Sequence, residues 1–469
     1  MTPGLDLSRT FDVLVVGGGN AALCAAMTAR EAGADVLLLE CSPRDFRGGN
    51  SRHTRNMRYV HARGNHYLTG PYLEDEFRDD LRRVTGSGIN EQLARMTLKK
   101  SENLGAWVEG RGGVFQPSMR GTLHLSRTNA FFLGGGKALM NAYYATAARL
   151  GVGILYEAEA TDLDIREDGF VSAAVLYQGV CETVRAGAVV VASGGFQANI
   201  EWLREYWGPA ADRFIVRGTP YDQGRMLRVL LDRGARPVGD PRSFHGVAID
   251  ARAPRFDGGI VTRLDVVPFG IVVNKEARRF YDEGEEFWPK RYAIWGRLVA
   301  GQPDQVAYSI IDSKSMGLFM PSVFPPFEAG SIREMAGLLD IDPDTLEETV
   351  AGFNRSTTNL DRFDPAILDE CHTRDLTPPK SHWARALDTP PFYGYPLRPG
   401  ITFTYLGVAV DERARVLKTD ERPWPNVFAA GEIMSGNILD KGYLAGFGMT
   451  IGTVFGRIAG KEAARHISR

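Results

Sequence analysis

Residues 11–40, FDVLVVGGGNAALCAAMTAREAGADVLLLE, restrict what this chain can fold into more than any other stretch. An apolar run from Phe11 to Val16 ends in Gly17, Gly18 and Gly19; a small-residue helical pattern follows, then Val36–Leu39 closed by Glu40. Strand, tight turn, helix and strand in that order predict the opening of a dinucleotide-binding βαβ unit. Gly17 permits the turn, and Gly19 lets backbone approach a pyrophosphate. Asn20 and Ala21 begin a helix whose N–H groups face the phosphates. Ala22 keeps that helix close to the sheet. Glu40 is placed to accept hydrogen bonds from a ribose diol, and its charge would repel a 2′-phosphate, which disfavours NADP.

The far end of the chain points to FAD rather than NAD. Asn426–Ala430 reads as a short buried strand ending in Gly431 and Glu432, and an uncharged, glycine-rich stretch from Gly442 to Phe455 follows. A flavin stretches across its domain, so a second strand end must meet its ribityl and ring portions; NAD has no need of one so distant in sequence. Val189–Ala192 followed by Ser193 and Gly194 predicts a third strand end at the same cofactor. Gly48, Gly49, Asn50 and Ser51 form a second glycine loop suited to the diphosphate or the flavin edge. Ala160, Asp222, Gly448, Met449 and Ile451 complete the candidate cofactor residues. Ordinary turns would explain isolated glycines, but four loops, each after a strand-like run, fit a flavin better.

Gly448, Gly452, Gly456 and Gly460 also have the four-residue spacing of packed membrane helices. The run lacks the ~20 apolar residues that a spanning helix needs, and Arg457 and Lys461 close it. A buried helix against the flavin is expected instead, with its positive N-terminal end toward the ring.

At 469 residues, 44% of them hydrophobic, the chain exceeds one ordinary domain. A net charge of −2 gives no reason to expect nucleic acid or an anionic membrane as partner. The four cysteines are scattered without a CxxC, a reduced pattern with neither an iron–sulfur nor a c-type haem motif. No signal-like segment precedes Phe11, so a cytoplasmic location is expected. From about Asp240 prolines, aromatics and charges rise, and from Thr404 the strand-and-glycine pattern returns. The expected fold is therefore α/β: a Rossmann-type FAD-binding domain (1–239 and 404–469) interrupted by an α+β capping, substrate-binding domain (240–403). The pattern also predicts helices over 74–110 and 331–355. Small molecules usually bind between such lobes.

The segments VVGGGNAA, RGGNS, VVVASGGF, VVNKEARRFYDE, VFAAGE and FGRIAG, in this order, resemble the fumarate reductase/succinate dehydrogenase flavoprotein family over essentially the whole chain. Within that family, GGNSRHTRN, SRTNAFFLGGGKALMNAYY, RRFYDEGEEFWPKRYAIWGRL and FYGYPLRPGITFTYLGV resemble the tricarballylate dehydrogenase subgroup. The resemblance implies oxidation of propane-1,2,3-tricarboxylate to cis-aconitate, with hydride passing to FAD. It also implies a separate electron-accepting protein, such as a membrane iron–sulfur or haem partner, because this chain has no such centre. The chain itself is expected to be a monomer.

Desaturating a carbon–carbon bond between carboxylates needs a hydride acceptor on one carbon, a base at the other, and cations on the carboxylates. Candidate cations are Arg263, Arg278, Arg279, Lys290, Arg291 and Arg398; arginine suits carboxylates because it binds them bidentately. By resemblance Arg291 matches the proton-shuttling arginine of fumarate reductases; otherwise it is an ion pair with Asp282, Glu283, Glu285 or Glu286. Arg278 and Arg279 beside the same acids read as structural. His245 matches a substrate-carboxylate ligand, with a satisfied core histidine as its alternative, and Thr262 matches a hydroxyl donor. Two positions depart from the family: its histidine after the cap is Phe403 here, and its arginine before the final glycine helix is Tyr443. Arg398 and Arg263 are the candidates to rebuild carboxylate binding, and Arg263 stands where reductases place a glutamate relay. Tyr443 is a candidate proton donor or substrate partner, or packs on the cofactor. His124 and Arg127 are candidates for the cap interface. The histidine that binds flavin covalently in succinate dehydrogenases aligns with Asn50, so FAD is expected to be non-covalent. His53, His61, His66, His372 and His382 lack a metal-ligand spacing, and no metal is expected.

Tyr443 before a glycine-rich helix is also similar to 3-ketosteroid Δ1-dehydrogenases, although a steroid pocket would replace the cations with apolar groups. A flavin protein that relays electrons without a substrate leaves the convergent cations unexplained.

Overall fold

The computed structural model describes residues 6–86, 88–118, 125–258 and 262–468. The opening unit forms as the sequence predicts: strand β1 (Thr10–Val16), helix α1 (Asn20–Glu31) and strand β2 (Val36–Glu40). β1 and β2 pair in parallel with Val13 opposite Val36, and β1 pairs in parallel on its other edge with Val180–Val191. Val13, Leu14 and Val15 are wholly buried, as a parallel strand covered on both faces requires. Gly153–Tyr156 extends the sheet beyond β2. Pro423–Ala429, from the end of the chain, joins on the opposite side, Phe428 lying beside Val190. This return of the C-terminal chain to the first sheet is what a flavin, rather than a nicotinamide, domain requires. An antiparallel hairpin of Ala158–Arg166 and Gly169–Tyr177 completes it.

The C-terminal helix (Phe447–Ile467) packs along α1. Its glycine spacing is explained here. A methyl group on Gly456 would stand 2.4 Å from the Ala21 carbonyl oxygen, and one on Gly460 would stand 2.2 Å from that of Ala25. The two backbones are in contact, and Asn20 Nδ2 adds hydrogen bonds of 3.0 Å to Met449 O and Thr453 Oγ1. No helix among the described residues is long and apolar enough to cross a membrane.

A second, seven-stranded sheet is organised by the long strand Phe392–Thr404, which takes Phe244–Asp250, Ala307–Asp312, Phe327–Ala329 and Ile215–Arg217 as neighbours. The second sheet thus draws a strand from upstream of residue 240. Two other expectations are refined. Residues 74–110 form three helices, Glu74–Thr85, Glu91–Ser101 and Leu104–Glu109. Residues 331–355 split into Ile332–Leu339 and Pro343–Ser356, because Asp340 is left-handed (φ 53°), Pro343 can only start a helix, and Asp342 caps the second one through Thr345 N at 2.8 Å.

Candidate active site

One long cavity runs from the β1–α1 turn to the second sheet. Its first end is built by glycines. Gly17 has φ +115°, and a Cβ there would lie 2.3 Å from Ala192 O, so only glycine permits this contact between two strand ends. Gly19 precedes α1, and the first helical N–H, that of Asn20, donates to Ser51 Oγ at 3.0 Å. The second glycine loop is thereby tied to the first. Gly49 lines the wall, and a side chain there would meet only Asp222 Oδ1 at 3.9 Å; it would stand in the cavity itself. An open glycine of this kind, beside a helix N-terminus, fits the pyrophosphate of FAD.

Of the predicted cofactor residues, Gly17, Gly19, Asn20, Ala21 and Glu40 line this end, with Gly49, Asn50 and Ser51 from the second loop. Ala160, Ala192, Ser193, Gly194 and Asp222 form the middle, and Gly431, Glu432, Gly448 and Met449 the C-terminal contribution. Three do not reach the wall. Ala22 and Ile451 are wholly buried on the packed sides of their helices, and Gly48 turns (φ +108°) against Met140. Glu40 also has a second duty: its carboxylate accepts from Gly48 N at 2.9 Å, Ser42 N at 3.0 Å and the Tyr144 hydroxyl at 3.1 Å. It clamps the second loop while facing the cavity.

Asp222 and Glu432 share Gln197, whose Nε2 donates to Asp222 Oδ2 at 2.8 Å and to Glu432 Oε2 at 3.3 Å. Burial pushes the Glu432 carboxyl up to about 8, against hydrogen bonds from Thr404 and Gln197. Burial and the charges of Glu432 and Glu40 push Asp222 well above the ordinary carboxylate range. Glu432 therefore keeps its proton near neutral pH.

The other end is cationic. Arg55, Arg217, Arg263 and His245 line it with Tyr292, Phe403 and Tyr443. His245 sits opposite Phe403 in the second sheet, at a β-bulge between His245 and Gly246. It is 3% exposed, yet neither ring nitrogen has a hydrogen-bond partner among the described residues. Burial, reinforced by Arg217 and Arg263, holds its pKa well below the ordinary histidine value. The Arg263 guanidinium lies 4.7 Å from the Tyr292 ring centre and pairs with Asp265 at 2.8 Å, while its Nε is unpartnered. Arg217 reaches Thr402 Oγ1 at 3.4 Å. Gly448 N–H donates to the Tyr443 hydroxyl at 2.8 Å, so this phenol caps the C-terminal helix. Burial raises the pKa of Tyr443, with the Gly448 N–H and Arg217 opposing.

Several sequence candidates lie elsewhere. Arg291 does not line the cavity: its Nε pairs with Glu285 at 2.6 Å and its Nη2 donates to the Tyr281 hydroxyl at 2.7 Å, the ion-pair alternative. Its neighbour Tyr292 faces the cavity instead, because Trp288–Arg291 is a single helical turn that passes into a 3₁₀ turn at Tyr292–Ile294. Arg398 is spent on the carbonyls of Asp304 and Gln305, away from the wall. The Thr262 hydroxyl donates to Asp257 and does not line the cavity. Arg278 pairs with Glu348, Arg279 with Glu283, Lys290 with Asp80 and Arg127 with Glu76. His124 lies outside the described residues. Arg55 and Arg217 were not singled out by sequence. For Arg217 the available signal is a charge closing the apolar run FIV; Arg55 lies within the segment GGNSRHTRN, which carries the family resemblance.

A family model for an FAD binding domain matches residues 12–443, and the chain belongs to this family of fumarate reductase/succinate dehydrogenase-type flavoproteins. It is 26% identical to a fumarate reductase (cytochrome) of Shewanella frigidimarina over 97% of this chain and 77% of that protein. The open conformation of a flavocytochrome c3 fumarate reductase superposes with a TM-score of 0.74 at 22% identity, covering 98% of this chain and 79% of that one. A 3-ketosteroid-Δ4-(5α)-dehydrogenase from Rhodococcus jostii RHA1 gives 0.75, also at 22% identity, covering 99% and 98%. These two likenesses establish the shared fold. The cofactor is FAD, and the protein is an FAD-dependent oxidoreductase of carbon–carbon bonds.

Proposed function

We propose that this protein interconverts a CH–CH bond and the corresponding alkene beside carboxylate groups, with oxidation of tricarballylate to cis-aconitate as its reaction. The observation that supports this most is the convergence of Arg217, Arg263 and the unpartnered His245 at one end of a cavity whose other end fits FAD. Bound FAD supplies the two-electron hydride acceptor.

The remaining tasks fall to side chains of this chain. Arg217 and Arg263 hold carboxylates, and charge-assisted bonds to guanidinium inside a low-dielectric cavity fix their orientation. His245, kept neutral by burial and by its cationic neighbours, acts as a hydrogen-bond partner and not as a charge carrier. Tyr443 exchanges the second hydrogen as a proton. The phenolate that accepts that proton, becoming the phenol, is held beforehand by the Gly448 N–H and by Arg217. Asn50 spends its side chain on Thr402 O (2.7 Å) and Thr219 N (2.8 Å) and offers no nucleophile, which supports non-covalent FAD. Residues 240–403 act as the cap between the two FAD-binding parts, 1–239 and 404–469. Electrons leave to a separate accepting protein.

One observation favours the reverse direction as a second reading. Burial keeps Tyr443 a phenol, suited to protonating an unsaturated carboxylate during its reduction. A ketosteroid substrate is opposed by the guanidiniums of Arg55, Arg217 and Arg263 at the cationic end of the wall. A screen of di- and tricarboxylates and a ketosteroid with an artificial electron acceptor tests these readings. Highest kcat/KM for tricarballylate supports the first; turnover of the steroid alone overturns it.

A further inference from the structure

We infer that Arg55 selects a substrate bearing a third carboxylate over one bearing two. This rests on the reading that the site takes small polycarboxylates, and it adds a residue to which no role in that reading is assigned.

Arg55 follows the second glycine loop, and its backbone is pinned there: its carbonyl accepts from Phe132 N at 2.9 Å. The side chain is 11% exposed and lines the cavity. A guanidinium has five donors. Those of Arg55 find the Met320 sulfur, a weak acceptor, at 3.4 Å, and the Asp265 carboxylate only at 4.0 Å. Asp265 is already engaged, by Arg263 at 2.8 Å and by the Trp288 indole N–H at 2.6 Å. Arg58, three residues on, shows what a satisfied buried arginine looks like here. It donates to Ala445 O at 3.0 Å, to the Tyr72 hydroxyl at 2.9 Å and to Asn129 Oδ1 at 3.1 Å.

A cation held this deep without adequate acceptors is costly unless something supplies them. Burial, together with the like charges of Arg263 and Arg217, pulls Arg55 down to about 9, with Asp265 opposing. Guanidinium relieves such a cost by gaining an anion, not by giving up its proton. Arg217 and Arg263 suffice for the two carboxylates flanking a reacting bond. A third guanidinium converging on the same space has work only if a third carboxylate arrives.

The test uses FAD-loaded protein and two anions that cannot be desaturated: citrate, a tricarboxylate with no adjacent CH–CH pair, and malonate, a dicarboxylate with a single methylene. Calorimetry gives each dissociation constant for the wild type, for Arg55→Met, which keeps the bulk, and for Arg55→Lys, which keeps the charge. The wild type is expected to prefer citrate by roughly 10–100-fold, the range of one charge-assisted hydrogen-bond pair. Arg55→Met should lose most of that preference and Arg55→Lys should recover part of it, with FAD content unchanged. Equal weakening of both anions, or of neither, would overturn the inference and leave the polycarboxylate reading standing. A wild type that binds neither anion would overturn both, and that result is visible before any variant is made.

Discussion

The imidazole of His245 lies flat on the phenol of Tyr443, ring centres 4.0 Å apart and planes 7° from parallel, with Tyr292 edge-on to the imidazole at 5.5 Å. The stack joins the second sheet to the segment before the C-terminal helix. It fixes an unpartnered imidazole and a helix-capping hydroxyl in one wall of the cavity. Tyr443→Phe keeps the stack but removes the exchangeable proton. The rate of flavin reduction, followed by rapid mixing, should fall by about 10²–10⁴-fold, the usual contribution of a positioned acid–base group. His245→Ala should raise KM more than it lowers kcat, because the imidazole binds and does not carry the proton.

Arg291 and Arg263 separate two assignments of the substrate cations. Arg291, one-quarter exposed and paired with Glu285, should tolerate Arg291→Ala with a change in kcat/KM of no more than about fivefold, since such ion pairs contribute about 0–1 kcal/mol. Arg263→Ala removes a buried cation from the wall and strands Asp265. It should cost at least about 100-fold in kcat/KM, as loss of a desolvated charge partner does. Steady-state kinetics on both variants, with FAD content checked by absorbance, gives the comparison.

The nucleotide end of the site was legible because its signals are local. Gly17, Gly19 and Glu40 lie within one strand–turn–helix–strand unit, and their spacing alone sets their geometry. The FAD assignment used one long-range feature, the C-terminal strand and glycine helix, and the pairing of Phe428 beside Val190 shows why it worked. The cationic end was read only in part, His245 and Arg263 but not Arg55 and Arg217, for a physical reason. Arg55, Arg217, His245 and Arg263 come from four separate segments that only the tertiary fold brings together. Arg291 and Tyr292 adjoin each other in a short helical turn, where a shift of one residue exchanges wall for surface. Family resemblance carried Arg291 to a segment that reaches the cavity, but the side chain on the wall is that of Tyr292.

The glycines of the C-terminal helix yield a stability prediction. Alanine would improve helix propensity by about 1 kcal/mol. At Gly456, however, its methyl group would stand 2.4 Å from the Ala21 backbone oxygen, which has no rotamer by which to withdraw. Overpacking of about 1–3 kcal/mol should win. Gly456→Ala should therefore lower Tm and weaken FAD retention, because α1 carries the N-terminus that faces the cofactor. Gly337→Ala, on a helix position with no neighbour within 4 Å, is the control and should not lower Tm.

The buried acids predict a pH dependence. Glu432 keeps its proton up to about 8 when folded, against an ordinary value of 4.5. Between these values the folded protein binds more protons than the unfolded chain, so stability falls as pH rises through that window. Asp222, raised chiefly by burial, adds to the same slope. Denaturant unfolding of FAD-free protein across this range should show the decline, and Glu432→Gln should flatten it.

Anaerobic addition of tricarballylate to the purified, FAD-loaded protein tests the central claim most directly, with flavin absorbance and the carbon products followed together. Bleaching of the flavin with formation of one cis-aconitate per FAD reduced is the predicted result. A flavin that stays oxidised with tricarballylate and with every dicarboxylate tried, yet bleaches normally with dithionite, would contradict it.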